Sequence, residues 1–285
     1  MEGGLQFKNK KVGVIIQARL KSTRLPAKIL LPVPFNDGEP LIGHIIKRAK
    51  KVSSVDYVIL ATSENPENDT LLDIAQKYNI KFFQGNEDNV LARFKDASKK
   101  WDLNVIVRLT GDNPCIDPEI LQNALMRHLS GKFDYTVTSG LPIGTNIEIF
   151  DSECLYRSFN EAKNPAELEH VTTYILMNDF FSKQRINFFE NDNLGSLRLT
   201  VDYPTDYAFM SLIFKALYYK NNYFGIKDIK ELIESNKWLT EINKNNYQKK
   251  IFKDINEEFE SAIHELKILE FNNVADYLRD RLNIS

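Results

Sequence analysis

Residues 12–16, VGVII, form an apolar, largely β-branched run of the length of one buried strand. Apolar runs at 55–61, 80–83 and 104–109 repeat the pattern. Between them lie segments with apolar residues at helical spacing. In 40–52 these are Leu41, Ile42, Ile45, Ile46 and Ala49. In 68–78 they are Leu71, Leu72 and Ala75, and in 88–100 Val90, Leu91, Phe94 and Ala97. Strands alternating with helices imply βαβ units and a mainly parallel sheet, hence an α/β fold.

The first strand runs straight into QARLKSTRLPAK, where Arg19, Lys21, Arg24 and Lys28 are interleaved with Ser22 and Thr23. Open α/β sheets bind ligands outside the carboxyl ends of their strands. Cations and hydroxyls there suit a highly anionic ligand, and a triphosphate is the obvious candidate because Arg pairs with phosphate bidentately. Pro26 fixes one φ in the loop. A solvated basic connection between strand and helix would read the same way. Neither G-x-x-x-x-G-K-[ST] nor G-x-G-x-x-G is present.

Composition makes this loop a local feature. Lys and Arg number 37 against 39 Asp and Glu, a net charge of −2, so bulk charge draws the protein to neither nucleic acid nor membrane. No apolar run is long enough to span a bilayer. The opening MEGGLQFKNKK lacks a signal-peptide core, and its Lys8, Lys10 and Lys11 lead directly into the first strand. Cys115 and Cys154 have no metal-binding or C-x-x-C spacing, so free buried thiols in a cytoplasmic protein are expected.

The pattern loosens after residue 110. Asp117-Pro118-Glu119 opens a helix. Strands are expected at 135–139, 146–150, 185–190 and 197–202, and helices at 165–180, 204–219 and 226–235. From Tyr247 the chain reads as one or two amphipathic helices broken at Asn272-Asn273. Two aspartates fall at expected strand ends, Asp112 in VRLTGDNP and Asp202 in LRLTVDYPTD. Two carboxylates suit Mg²⁺, which fills its octahedron with phosphate oxygens and water. Each could equally cap a helix, and Asp206 fits the helix start after Pro204 as well.

Gln17, Ala18, Arg19, Ser22, Thr23, Arg24, Leu25, Pro26 and Lys28 match Q-A-R-x-x-S-T-R-L-P-x-K. In this the chain resembles the cytidylyltransferases, in particular the group typified by spore coat polysaccharide biosynthesis protein F. That group is related to the acylneuraminate and Kdo enzymes. GNEDNVLARF is similar to that group's G-x-x-x-D-V-L-x-R-F, with Asn89 where Asp is usual. The resemblance spans residues 11 to about 240 and places an extension at 241–285. It implies a GT-A-like, Rossmann-type sheet with a smaller β-containing flap and a helical tail. It also implies a CTP-dependent enzyme making a CMP-sugar for surface glycans, with an acidic sugar as the usual acceptor; the amphipathic tail could pack on the domain or against a second subunit, as in a homodimer.

The resemblance further implies roles for single residues. Gln17, Ala18, Arg19, Ser22, Arg24, Lys28, Thr62, Arg93 and Asp112 would contact the nucleotide. Asp112 and Asp202 would hold Mg²⁺, and Arg19 and Lys28 would share the catalytic work with them. Glu148, Glu169 and His170 would line the acceptor pocket, with His170 inside a helix. The group's P-D-G-x-D-x-E becomes Pro142-Ile143-Gly144-Thr145-Asn146-Ile147-Glu148, so two acids are lost where the acceptor is chosen. A GT-A glycosyltransferase, which usually shows D-x-D where this chain has Asp112-Asn113-Pro114, is a second reading. A non-catalytic nucleotide-binding protein is a third.

Overall fold

In the computed structural model the described residues are 10–190, 192, 194–246 and 254–282. Lys8 and Tyr247 lie outside them. The chain divides into two units, Met1–Asn246 and Tyr247–Ser285.

The first unit is built on one seven-stranded sheet. Its parallel half comprises β1 (Val12–Gln17), β4 (Tyr57–Ser63), β5 (Lys81–Gly85) and β6 (Val105–Thr110). A two-stranded ribbon, β2 (Pro32–Val33) and β3 (Glu39–Pro40), lies outside it. The helices α1 (Leu41–Lys50), α2 (Thr70–Lys77) and α3 (Val90–Lys100) make the crossovers. After α4 (Pro118–Ser130) come β7 (Tyr135–Ser139) and β8 (Glu148–Asp151). Then follow α5 (Ser152–Glu161), α6 (Pro165–Glu169), α7 (Thr173–Met177) and β9 (Lys183–Asn187). The order is β5-β4-β1-β6-β8-β7-β9. Strand β8 enters antiparallel between β6 and β7, and β9 runs parallel to β7. Strands β7, β8 and β9 thus continue the main sheet.

β1 is the central strand, paired parallel with both β4 and β6. Its alternate residues feed two cores. Val14 and Ile16 join Leu60, Val107 and Leu109 on the face covered by α1, α2 and α4. Ile15 joins Ile59, Ile106, Leu91 and Phe94 on the face covered by α3 and α5. Burial on both faces is why the run has no polar alternation.

Two expected elements differ. The helix expected at 165–180 breaks: His170 ends α6 at φ −104° and ψ 91°, and α7 begins at Thr173. Val171-Thr172-Thr173 is β-branched and weakly helical. The break also lets Val171 enter the core while the Thr172 hydroxyl turns to Glu148. The segment 197–202 is extended, but its only ladder contact among the described residues is one isolated bridge from Arg198 to Ile143. Its backbone changes partner along its length, bonding Ile143 at Leu197 and Leu199 and then the Asp112 carbonyl at Val201. No single neighbouring strand accompanies it, so Asp202 ends a crossing segment and not a sheet strand.

Helices α8 (Pro204–Leu217) and α9 (Ile226–Ser235) close the first unit. In the second, α10 (Ile255–Ile268) and α11 (Asn272–Leu282) form a helical pair that buries Ile263 and Ala275. Among the described residues no helix is long and apolar enough to cross a membrane.

His44 on α1 makes stability depend on pH. It is buried, and its Nε2 donates to the Val33 carbonyl at 2.6 Å. Burial, with help from Arg48 and Lys47, depresses its pKa from 6.5 to about 4. Protonation therefore favours the unfolded chain, and stability present above pH 6.5 is lost as pH falls toward 4. Between pH 7 and 5 the loss should be about 2 kcal/mol. Urea unfolding of wild type and His44→Gln at both pH values checks this. The variant should lose most of the pH dependence, and an unchanged dependence would clear His44 of the effect.

Candidate active site

Three loops gather at the carboxyl ends of β1, β4 and β6, because these strands are parallel neighbours. Backbone bonds hold the loops together. Ala18 N donates to the Ala61 carbonyl at 3.1 Å, and Gly111 N to the Gln17 carbonyl at 2.8 Å. A Cβ on Gly111 would stand 2.9 Å from that of Ala18, so glycine permits this approach. The basic loop is closed on itself by Ala27 N donating to the Leu20 carbonyl at 3.1 Å, with Ala27 at φ 50°. Asn68, fully buried, fastens it to β4. Its Oδ1 accepts from Leu20 N and its Nδ2 donates to Ser63 Oγ, both at 2.8 Å. Nothing in the sequence marks Asn68, since its partners lie on other elements.

Lys28, Asp112 and Asp202 meet at one point. Lys28 Nζ lies 2.8 Å from Asp112 Oδ2 and 2.8 Å from Asp202 Oδ1. The lysine side chain is 11% exposed, and the carboxylates are 26% and 17% exposed. Burial disfavours the charge on Lys28, but Asp112 and Asp202 outweigh it and raise its pKa. Burial likewise opposes the charge on Asp202, yet Lys28, Arg24 and Arg198 hold its carboxyl below the usual range. Arg198 Nη2 reaches Asp202 Oδ2 at 2.6 Å and Arg24 Nη2 reaches Oδ1 at 3.3 Å. Arg24 also stacks on the Tyr203 ring at 4.7 Å and donates to its hydroxyl. Asp112 is oriented by Thr110, whose hydroxyl donates to Oδ1 at 2.7 Å and accepts from Asn113 Nδ2 at 2.7 Å.

The two acids of VDYPTD separate cleanly. Asp206 is wholly buried and accepts from the backbone N–H of Asp202 and Tyr203, from Arg198 Nε and from Asn243 and Asn246. It starts α8, as an acid at a helix N-terminus should. That leaves the Asp202 carboxylate turned to the cations. Among the described residues no set of three or more His, Cys, Asp or Glu converges as a metal site. Two carboxylates on one cation do converge, and a two-carboxylate oxygen set fits Mg²⁺. The ammonium of Lys28 stands where such a cation would be shared.

Arg19 and Arg93 form a second cationic feature. Arg93 is 4% exposed and donates from Nη1 to the Asn86 carbonyl at 3.1 Å, while its buried Nε has no partner among the described residues. Burial first, and then the charge of Arg19, lower its pKa to about 10, with Glu87 opposing. A buried guanidinium with a donor left over suits an anionic partner. Arg19 itself is exposed, and Ser22 is half-buried.

The acceptor-side residues come together only in part. Glu148 accepts from Arg108, from the Tyr135 hydroxyl at 2.6 Å and from the Thr172 hydroxyl at 2.7 Å. Burial opposes its charge, but Arg108, Tyr135 and Thr172 hold its carboxyl below the usual range. Arg108 Nη2 also reaches Gln17 Oε1 at 3.5 Å, which ties this network to the end of β1. Glu169 is exposed and His170 half-buried at the end of α6, so the segment meets Glu148 through Thr172. Thr62 is fully buried, its hydroxyl has no partner among the described residues, and it does not open to solvent. Sequence reading missed Arg108 and Thr110. Both stand in VRLTGDNP, and their strand positions, facing Glu148 and beside Asp112, were the available signal.

A family model described as cytidylyltransferase matches residues 13–257. The chain is 32% identical over 241 residues to an uncharacterised protein of Methanocaldococcus jannaschii, covering 84% of this chain and 97% of that one. It is 34% identical over 209 residues to the spore coat polysaccharide biosynthesis protein SpsF of Bacillus subtilis, covering 72% and 85%. A solved cytidylyltransferase structure from Leptospira borgpetersenii superposes with a TM-score of 0.75 at 29% identity, covering 85% of this chain and all of that one.

Proposed function

Because the chain belongs to the cytidylyltransferase family, we propose that it transfers CMP from CTP to a sugar hydroxyl and releases pyrophosphate. The observation that carries this reading is the meeting of Lys28, Asp112 and Asp202, with Arg19 and Arg24 on the same loop as Lys28 and the buried Arg93 as further cations. The site offers both carboxylates and cations. A triphosphate with a divalent cation answers both.

In this reaction the sugar oxygen bonds to the α-phosphorus, the bond from that phosphorus to the bridging oxygen breaks, and pyrophosphate leaves with its electron pair. The hydroxyl proton passes to solvent. Arg19 and Arg93 bind phosphate oxygens. Lys28 and Arg24, on the same closed loop, offset charge on the departing pyrophosphate. Thr110 holds Asp112 in one orientation. The loops stitched by Asn68 and Gly111 keep these groups in register, so positioning supplies much of the rate. Mg²⁺, held by Asp112 and Asp202, would supply a Lewis acid that stabilises phosphate charge.

The acceptor is read from its pocket edge. Ile143 and Asn146 add no charge there, and the buried carboxylate of Glu148 is already neutralised by Arg108. A sugar bound through hydroxyls fits these groups as well as an acidic one does.

Pyrophosphate release from CTP, UTP, ATP and GTP, each with Mg²⁺ and a panel of neutral and acidic sugars, tests the proposal. CTP-dependent release that requires a sugar is the expected result. Release of a free nucleotide from a nucleotide-sugar would replace this reading with glycosyl transfer, and binding without turnover would reduce the protein to a nucleotide sensor.

A further inference from the structure

Lys28 makes two strong contacts that a phosphate-binding lysine does not need. Its ammonium bridges Asp112 and Asp202 at 2.8 Å each, at the point where the two carboxylates converge. Asp202 has Arg24 and Arg198 as further cations, whereas the cation on Asp112 is Lys28. Without Lys28 the pair would carry uncompensated negative charge on the Asp112 side.

We propose that Lys28 is a built-in place-holder for the divalent cation: its ammonium occupies the metal position between Asp112 and Asp202 until a triphosphate draws it away. Nucleotide therefore binds before the metal is admitted or together with it, and the bare protein discriminates against free divalent ions. This rests on the cytidylyltransferase reading above and adds an order of binding to it.

The backbone around Lys28 supports the swap. The loop is closed by the Ala27-to-Leu20 bond and fastened through Leu20 to Asn68, so the Lys28 backbone stays where it is. Lys28 begins the short 3₁₀ turn Lys28–Leu30, whose Ile29 is buried. Only the flexible four-carbon stem must turn for the ammonium to leave the carboxylates for phosphate oxygens. The ammonium moves to the anion as the divalent ion takes its place, and the site gains one positive charge in the exchange. The two carboxylates are neutralised throughout, and so never face one another bare.

The experiment is a titration of the full-length protein with Mn²⁺ alone, followed by electron paramagnetic resonance of the free ion, with no nucleotide and no turnover. Lys28→Met should bind Mn²⁺ at least tenfold more tightly than wild type, and Mn²⁺ should raise the melting temperature of the variant but not of wild type. Lys28→Gln, whose amide can still donate to a carboxylate, gives the same readout should the methionine variant fail to fold. Lys28→Arg keeps the charge and should bind as weakly as wild type. Adding Asp112→Asn to Lys28→Met should abolish the gain. Equal Mn²⁺ affinity in wild type and both neutral variants would overturn the proposal. So would tight binding by Lys28→Arg, or a gain that survives Asp112→Asn. Because no CTP enters the titration, such a failure leaves the pyrophosphate-release test untouched, and a failed release test leaves this titration interpretable.

Discussion

Asp112→Asn should lower the turnover of CTP-dependent pyrophosphate release by about 10²–10³-fold, because a neutral amide holds the divalent cation that stabilises phosphate charge far less well than a carboxylate does. The fold should survive. The Asp112 side chain is 26% exposed, and its other partner, the Thr110 hydroxyl, can still donate to an asparagine oxygen. The loss should therefore fall on kcat and on the Mg²⁺ concentration needed for half-maximal rate, with a melting temperature close to wild type. Steady-state kinetics across a Mg²⁺ series alongside thermal unfolding makes the measurement. Near-normal, Mg²⁺-dependent release by the variant would remove Asp112 from the chemistry. Equal collapse of kcat and stability would assign it to the fold instead.

The second large effect is on stability. Arg108 and Glu148 form a mostly buried ion pair on adjacent antiparallel strands, with side chains 17% and 18% exposed. Arg108→Met removes the cation and leaves a carboxylate with only the Tyr135 and Thr172 hydroxyls. Breaking one side of such a pair costs about 3–5 kcal/mol, because the remaining charge is left buried and unpaired. Removing the charge from both sides is far cheaper. In Arg108→Met with Glu148→Gln, the new amide oxygen still accepts from both hydroxyls, and the loss should shrink to about 1–2 kcal/mol. Urea unfolding of wild type, the single variant and the double variant reads this out. Equal destabilisation of single and double would show that Arg108 acts by packing and not by charge. The single variant should also loosen Gln17, which Arg108 contacts at the mouth of the site.

The charge contacts explain why function reads out of this chain unevenly. The basic loop was legible because its cations lie within ten residues of one strand end, and strand and loop share one short run. The choice between Asp202 and Asp206 was not. Both lie in VDYPTD, both suit a helix start, and only the burial of Asp206 among Arg198, Asn243 and Asn246 leaves Asp202 for the cations. Glu148 entered only through the family resemblance, as an acceptor-side acid, and its fixed partnership with Arg108, Tyr135 and Thr172 was not legible. The break after His170 escaped helical periodicity because a tertiary bond, Thr172 to Glu148, pulls the chain out of the helix.

By itself the sequence determined the alternation of strands and helices, the two-faced burial of β1, the position of the cationic loop and the membership in a family of nucleotide-using enzymes. These are local or periodic properties, written into runs of a few to some twenty residues. Tertiary structure alone decided which charges meet. Lys28 finds its carboxylates 84 and 174 positions away, and Arg108 finds Glu148 at 40. Such pairings follow from which strand ends become neighbours in the order β5-β4-β1-β6-β8-β7-β9, and that order is set by long-range burial that no short window of residues contains.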